Sequence, residues 1–328
     1  MKLLLSICIP TMNRPALLMQ AVNSIITDNA FLNEIEICIS NNCSESNYSE
    51  VEQLIKSASS MCKINYVRHN TRLSLDGNHL YVKQMASSEY VFYLGDDDYF
   101  LPKELPKIVE LVSAEQPDLA IFNGIVVDED NVPRGNHFDL PPRVYRTVAE
   151  TFRDLRDKGS FGSVLVKKNL LDEKYFLALH GTSHAYGCFW LSLLWQEQKN
   201  IPIKVMIPSF QGVALRTGEK NYNHIAVYFR DILFSMTVFR KYAPPGRAQL
   251  LLDASEAKYY RHIFSLRFLV NLSASGVDLG EIKKYHNLYY RKLRMKILLA
   301  KFIVSFKLYN VVRFIARLWH VSSGRICT

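Results

Sequence analysis

Tyr90-Val91-Phe92-Tyr93-Leu94-Gly95-Asp96-Asp97-Asp98 decides the fold. Five apolar residues without alternation fit a strand buried on both faces, and three carboxylates follow directly at its end. In open parallel sheets ligands bind outside the carboxyl ends of strands, at a topological switch point, so an acidic triplet in this place is positioned for chemistry. Adjacent carboxylates repel one another, and a divalent cation with oxygen ligands relieves the repulsion. The plain alternative is a solvated turn or a cap for the helix after Pro102.

Working back from this stretch, Leu3 to Ile9 is a second continuous apolar run, stopped by Pro10 and followed by Thr11-Met12-Asn13-Arg14. Pro15 suits a first helical position, and Leu17, Leu18, Ala21, Val22, Ile25 and Ile26 recur at helical spacing through about Thr27. Ile35 to Ile39 reads as a strand, the Asn- and Ser-dense Ser40 to Ser49 as a loop, Val51 to Lys56 as helix and Ile64 to Val67 as strand. A helix around Asn78 to Met85 leads back to Tyr90. This alternation predicts a doubly wound, Rossmann-like α/β core with a mostly parallel sheet flanked by helices. Downstream, Leu105 to Val112 predicts a helix, Leu119 to Val127 one strand, and Asp128 to Arg146 a long loop or edge hairpin. Phe161 to Val166 follows as strand, Cys188 to Trp195 as helix, and Ile203 to Pro208 as the last strand, with a mostly helical pattern from Val227 on.

With 328 residues, 48% hydrophobic and 22% charged, and only 14 Gly and 12 Pro, disordered, collagen-like and disulfide-scaffold classes are excluded. The net charge of +9 is unevenly placed: residues 282–328 hold 11 Lys plus Arg and no acid, leaving 29 basic and 31 acidic residues before them. A near-neutral body with a basic, apolar tail points to an anionic membrane surface, and no nucleic-acid partner is expected. The six cysteines show no metal or redox spacing, which fits a reduced, cytoplasmic protein. Leu3 to Ile9 lacks a cleavage site, so no signal peptide is expected; no apolar run reaches about 18 residues, so no spanning helix is expected.

Three strings, Ile7-Cys8-Ile9-Pro10-Thr11-Met12-Asn13-Arg14, Ile35-Glu36-Ile37-Cys38-Ile39-Ser40-Asn41-Asn42-Cys43-Ser44 and Tyr93 to Pro102, resemble in order and spacing glycosyltransferase family 2, the inverting GT-A enzymes that use nucleotide-sugar donors. The resemblance implies a GT-A catalytic domain over 1–225, with a nucleotide-sugar half at 1–115 and an acceptor half at 116–225, then a helical C-terminal region over 226–328. It implies donor contacts at Pro10, Thr11, Asn13, Arg14, Asn41, Asn42, Asp76, Asn78, Asp96 and Asp97. Asp97 and Asp98 match the Asp-Asp that precedes x-x-x-Pro, which implies Mg²⁺ or Mn²⁺ at Asp98, with Asp96 and His224 as further ligand candidates. Gly95 stands where an aspartate is frequent, and Asn41 and Asn42 stand where most members have an aspartate on the base.

More weakly, Leu165-Val166-Lys167-Lys168 and Gly181-Thr182-Ser183-His184 are similar to the branch that transfers dideoxyhexoses such as abequose in O-antigen synthesis. Members commonly place a catalytic aspartate near the start of that helix, and none lies between Gly181 and Trp190 here. His184 is the substitute as general base, counted with Asp97 as catalytic; the plain reading is a capping or acceptor-binding histidine. Arg216, Lys220 and His224 lie on a polar segment suited to closing over a diphosphate, or to an ordinary surface loop.

In the tail, Leu293, Ile297, Ala300, Val304, Leu308, Val311, Ile315 and Leu318 form one stripe, with Lys292, Lys296, Lys307, Arg313 and Arg317 largely opposite. Such a helix can pack on the body, form a homodimer or lie on a membrane. The expected activity is hexosyl or deoxyhexosyl transfer to a glycan acceptor, with a lipid-linked acceptor and a peripheral location at the cytoplasmic membrane face. A noncatalytic scaffold is the alternative; a nucleotidyltransferase is less well matched, because Pro10 to Arg14 holds no glycine for a phosphate loop.

Overall fold

In the computed structural model the described residues are 3–27, 30–216, 224–274, 276–285 and 287–305. They fall into two compact units, Met1–Asn221 with Ser235–Ser255, and Tyr222–Phe234 with Glu256–Thr328.

The first unit opens with β1 (Leu5–Thr11), α1 (Pro15–Ile26), β2 (Ile35–Asn41), α2 (Ser49–Ala58), β3 (Lys63–Arg68), α3 (Leu75–Met85) and β4 (Tyr90–Tyr93). The apolar runs are strands for the reason expected: nearly every residue of β1, β2 and β4 is buried, as two helical layers require. Next come β5 (Tyr99–Phe100), α4 (Glu104–Glu115), β6 (Leu119–Ile121), β7 (Asn123–Val127), β8 (Pro133–Asn136), β9 (Arg143–Tyr145) and α5 (Val148–Leu155). The unit's sheets and helices continue with β10 (Val164–Lys167), α6 (Glu173–Ala178), α7 (Phe189–Gln198), β11 (Val205–Ile207) and β12 (Gln211–Arg216). Strand order in the main sheet is β3-β2-β1-β4-β10-β6-β11-β9, with β3, β2, β1 and β4 parallel and β10 antiparallel to both neighbours. The chain leaves β1 for β2 on one side and returns to β4 on the other, so the switch point lies between the carboxyl ends of β1 and β4.

Several expectations are corrected. Leu119 to Val127 is two strands in two sheets, because Phe122 leaves the first sheet and donates its N–H to the Ser163 carbonyl at 2.9 Å. Both halves are apolar, so periodicity gives no sign of the break. Ile203 to Pro208 contains β11 but not the last strand; β12 follows and, with β5, β7 and β8, builds a four-stranded second sheet. Helix α5 was hidden in a polar region, yet its start carries an N-cap in a Thr-x-x-Glu pattern: Thr147 Oγ1 accepts from Glu150 N–H at 3.3 Å and donates to the Glu150 carboxylate at 2.9 Å.

The second unit is helical, built around Ile225, Phe229, Ile263, Leu269, Leu279 and Ile282 with the helix Asn287–Ser305. Leu293, Ile297 and Ala300 are core residues of this unit, and Val304 packs against it. Opposite them the helix is not purely basic: Met295, Leu298, Leu299 and Phe302 are exposed at i, i+3, i+4 and i+7. Lys296 Nζ donates to the Phe264 carbonyl at 2.8 Å. The stripe residues Leu308, Val311, Ile315 and Leu318, the basic Lys307, Arg313 and Arg317, and the side chain of Lys292 lie outside the described residues. Among the described residues no helix is long and apolar enough to cross a membrane.

Candidate active site

Thr11 ends β1 and Leu94 to Asp98 follow β4, so the switch point brings them together. Asp96 is buried, its Oδ2 accepting from Thr11 Oγ1 at 2.8 Å and Met12 N–H at 3.4 Å, its Oδ1 from Arg14 Nη1 at 3.2 Å. Arg14 Nη1 also reaches Asp97 Oδ2 at 2.9 Å, so one guanidinium spans two carboxylates. Burial, and then the charge of Asp97, push the Asp96 carboxyl up to about 6 against the pull of Arg14 and Thr11. Tyr48, which the sequence reading missed, ties the loop from below: its hydroxyl lies 3.0 Å from Thr11 Oγ1 and accepts from Arg14 N–H at 3.1 Å.

Asp98 is buried, and its Oδ1 accepts from the Arg216 backbone N–H at 3.0 Å. Its carboxylate leans on Gly162, where φ is +86° and a Cβ would sit 2.5 Å from Asp98 Oδ2. Gly95 has a matching reason: a Cβ there would lie 2.6 Å from Asp98 Oδ2, so the turn that folds two carboxylates back admits no side chain at this position.

The two arginines differ. Arg216 is the last residue of β12 rather than part of a loop, and it is buried. Its Nε donates to the Asp97 carbonyl at 3.2 Å, Nη1 to the Asp128 and Glu129 carbonyls at 2.9 and 2.8 Å, and Nη2 to Gln20 Oε1 and Asn131 Oδ1, both at 2.6 Å. Those five bonds use all five N–H donors of a guanidinium, leaving none for a diphosphate. Arg216 is therefore a clamp on the acidic turn. Arg14 engages protein acceptors through Nη1 alone among the described residues, so it is the arginine with donors to offer.

The asparagines wire loops together. Asn13, at φ +58°, accepts through Oδ1 from Glu45 N–H at 2.8 Å and Ser46 N–H at 3.3 Å. Asn41 Nδ2 donates to Tyr66 at 2.9 Å, and Asn42 exchanges bonds with the Leu73 carbonyl and N–H at 3.0 and 2.7 Å. Asn78 Oδ1 accepts from Ser40 Oγ at 2.6 Å. Pro10 sits within β1 opposite Ser40, beside the same loops.

Asp76, expected on the nucleotide, holds the loop from Gly181 to Ala185: its Oδ2 accepts from Gly181 and Ser183 N–H at 2.8 and 3.0 Å, its Oδ1 from Ala185 N–H at 3.1 Å. His184 is thus fixed between amides gripped by one carboxylate. Behind it His79, which burial pulls down to about 4, stacks on Phe161 at 4.6 Å in an aromatic cluster with Tyr93 and Tyr186. Lys220 and the side chain of His224 lie outside the described residues.

Asp97 and Asp98 offer the oxygen donors that a hard divalent cation takes, and such ions draw further ligands from phosphates and water. Asp96, the third carboxylate of the turn, has both oxygens engaged by Thr11, Met12 and Arg14. Among the described residues no three His, Cys, Asp or Glu side chains gather around one metal position.

The family model for glycosyl transferase family 2 matches residues 6–171, more than half of the chain. The chain belongs to glycosyl transferase family 2. In this family it is 33% identical over 117 residues to the abequosyltransferase RfbV of Salmonella typhimurium, covering 36% of this chain and 34% of that protein. It is 27% identical over 176 residues to the GalNAc(5)-diNAcBac-PP-undecaprenol beta-1,3-glucosyltransferase of Campylobacter jejuni, covering 52% and 54%. The aligned part thus spans about a third to a half of these curated relatives. Among solved structures, S. aureus TarS 1–349 in complex with UDP-GlcNAc superposes with a TM-score of 0.62 at 14% identity, covering 94% of this chain and 92% of that one. The fold is the GT-A fold of such glycosyltransferases.

Proposed function

We propose that the protein transfers a hexose or deoxyhexose from a nucleoside diphosphate sugar to a hydroxyl of a growing, lipid-linked surface glycan, inverting the anomeric centre. The observation that carries this reading is the Arg14 guanidinium at the β1/β4 switch point, spanning Asp96 and Asp97 with further donors to spare. The names of both curated relatives and the nucleotide sugar in TarS support the substrate class. Arg14 and the loop amides bind and orient the diphosphate, while Asp97 and Asp98 would hold Mg²⁺ or Mn²⁺. Bound there, the ion supplies Lewis-acid stabilisation of the departing diphosphate. His184 takes the proton of the acceptor hydroxyl, and Asp76 positions it through the 181–185 amides.

The exposed Met295, Leu298, Leu299 and Phe302, beside Arg291 and Arg294 in an acid-free segment, support peripheral binding to an anionic membrane that carries the acceptor.

The test is a panel of UDP-, GDP-, CDP- and dTDP-sugars with Mn²⁺, scored by thermal shift and slow nucleoside diphosphate release. One nucleotide should stabilise the protein, with release abolished by chelator and restored by metal. Absence of binding to every donor, with membrane vesicles and acceptor lipid present, overturns the reading. His184→Asn should lower turnover about 10²-fold or more; a change in acceptor KM alone would make His184 a binding residue.

A further inference from the structure

Arg216 is a buried cation at the acidic turn, and among the described residues it makes no ion pair. All five of its N–H groups go to uncharged acceptors: the carbonyls of Asp97, Asp128 and Glu129, and the side-chain oxygens of Gln20 and Asn131. Better matched acceptors stand close by. The Asp98 carboxylate accepts from the Arg216 backbone N–H at 3.0 Å, and Arg216 Nε already reaches the Asp97 backbone. A carboxylate matches a guanidinium both in charge and in its two-pronged geometry, so a guanidinium that serves neither Asp97 nor Asp98 through their side chains is being held away from them.

The hold comes from two elements foreign to the turn. Gln20, on α1, accepts from Arg216 Nη2 through Oε1 at 2.6 Å and donates from Nε2 to Asn131 Oδ1 at 2.9 Å. Asn131 Oδ1 accepts from Nη2 as well, at 2.6 Å, so two amides and one guanidinium close a ring of hydrogen bonds. Asn131 sits at φ +62° in the turn between β7 and β8, and that turn has its own support. The Asp128 carboxylate accepts from Asp130 and Val132 N–H at 3.1 and 2.8 Å and pairs with Arg134. Neither the Gln20 nor the Asn131 side chain bonds Asp97 or Asp98, so whatever they do to those residues they do through Arg216.

We propose that Gln20 and Asn131 are positioning residues of the active site: by occupying Arg216 Nη2 they keep its charge off the Asp97 and Asp98 carboxylates, which stay available to a cation. The inference rests on the reading of that pair as the cation-holding carboxylates. Uncharged acceptors suit the task, because they fix the guanidinium without offering it a competing ion pair. Its charge then stays behind the turn, where it eases the repulsion among three neighbouring acids. Without the ring, Nη2 has unmet donors in a buried place, and the anions of the acidic turn are at hand to satisfy them. The internal salt bridge that results closes the cation site.

The metal-free full chain is titrated with Mn²⁺ alone, following the free ion by electron paramagnetic resonance, and amide exchange of Asp96 to Asp98 and of Arg216 is measured without metal. Gln20→Met keeps the side-chain length and the helix preference, and Asn131→Gly keeps the positive φ; each removes one of the two acceptors of Nη2. Both variants should weaken Mn²⁺ binding about tenfold and alter exchange in the turn several-fold, with Tm within about 2 °C of the wild type. Asn131→Asp, which keeps the acceptor oxygen and tolerates the same φ, should restore both readings. A lowered Tm with Mn²⁺ affinity and turn exchange unchanged gives the two residues a structural role only and overturns the proposal. If the wild type takes up no Mn²⁺, while exchange in the turn still responds to Asn131→Gly and recovers in Asn131→Asp, the metal of the proposed reaction falls and the positioning stands.

Discussion

Glu36, near the amino end of β2, and Asp96, past the carboxyl end of β4, are both carboxylates removed from water, but their surroundings move them in opposite directions. Burial pushes Glu36 up, yet Lys63, Ser6 and Ser87 outweigh it and hold it down to about 2. Ser87 alone donates twice, from its N–H at 2.5 Å and its hydroxyl at 2.8 Å. Asp96 has a cation and a hydroxyl too, but a second carboxylate beside it, and it ends near 6. The contrast teaches where this fold is at rest and where it is under tension. A carboxylate whose every need is met sits low, whereas Asp96, with both oxygens bonded, is still raised by burial and by the like charge of Asp97.

The largest expected effect breaks or keeps that contrast directly. Asp98→Asn, nearly isosteric in the tense turn, should cut nucleoside diphosphate release about 10²- to 10³-fold while shifting Tm by only a few degrees. Normal turnover in that variant would make the acidic turn architecture as well. Glu36→Gln should do the reverse, destabilising the fold by about 3 kcal/mol at pH 7 with kcat unchanged, as followed by urea unfolding. Because its folded pKa is depressed, the Glu36 contribution is present above its ordinary value of 4.5 and is lost as pH falls toward about 2. The Gln variant should lack that acid limb.

Asp96→Asn sharpens the comparison with a smaller effect of opposite sign. A raised carboxyl stabilises the fold fully below its ordinary value of 3.8 and loses that stabilisation as pH rises through about 6. Removing the charge should therefore raise unfolding stability by about 1 kcal/mol at pH 8, net of the lost Arg14 pair, and by nothing at pH 4. Equal shifts at both pH values would show that Asp96 feels no strain. Donor binding in the wild type should change near pH 6, and that inflection should vanish in the variant.

The parallel half was legible because strands covered on both faces must be continuous apolar runs, and their ends announce themselves in Pro10 to Arg14 and Gly95 to Asp98. The remainder depends on contacts that spacing does not encode. Arg216 looks like a loop cation until residues 20, 97, 128, 129 and 131 are seen to converge on it. Nothing in the spacing around Asp76 announces that its carboxylate holds amides more than a hundred residues away. Over its described part, Leu293 to Val304, the tail stripe packs as its period predicts, but the spacing is silent about partners, so the face that packs and the face left exposed could be told apart only in the folded unit.

The Asp76 grip has a consequence for how such enzymes exchange parts. The family match ends at residue 171, while the three amides held by Asp76 lie beyond it, at 181, 183 and 185. A chimera joined near that border would present Asp76 with a foreign loop. Unless the graft brings N–H groups to the same three points, it strands a buried anion and unsettles the loop that carries His184. Recombination within the family should therefore tolerate a wide range of grafted second halves, provided each keeps this one small buckle.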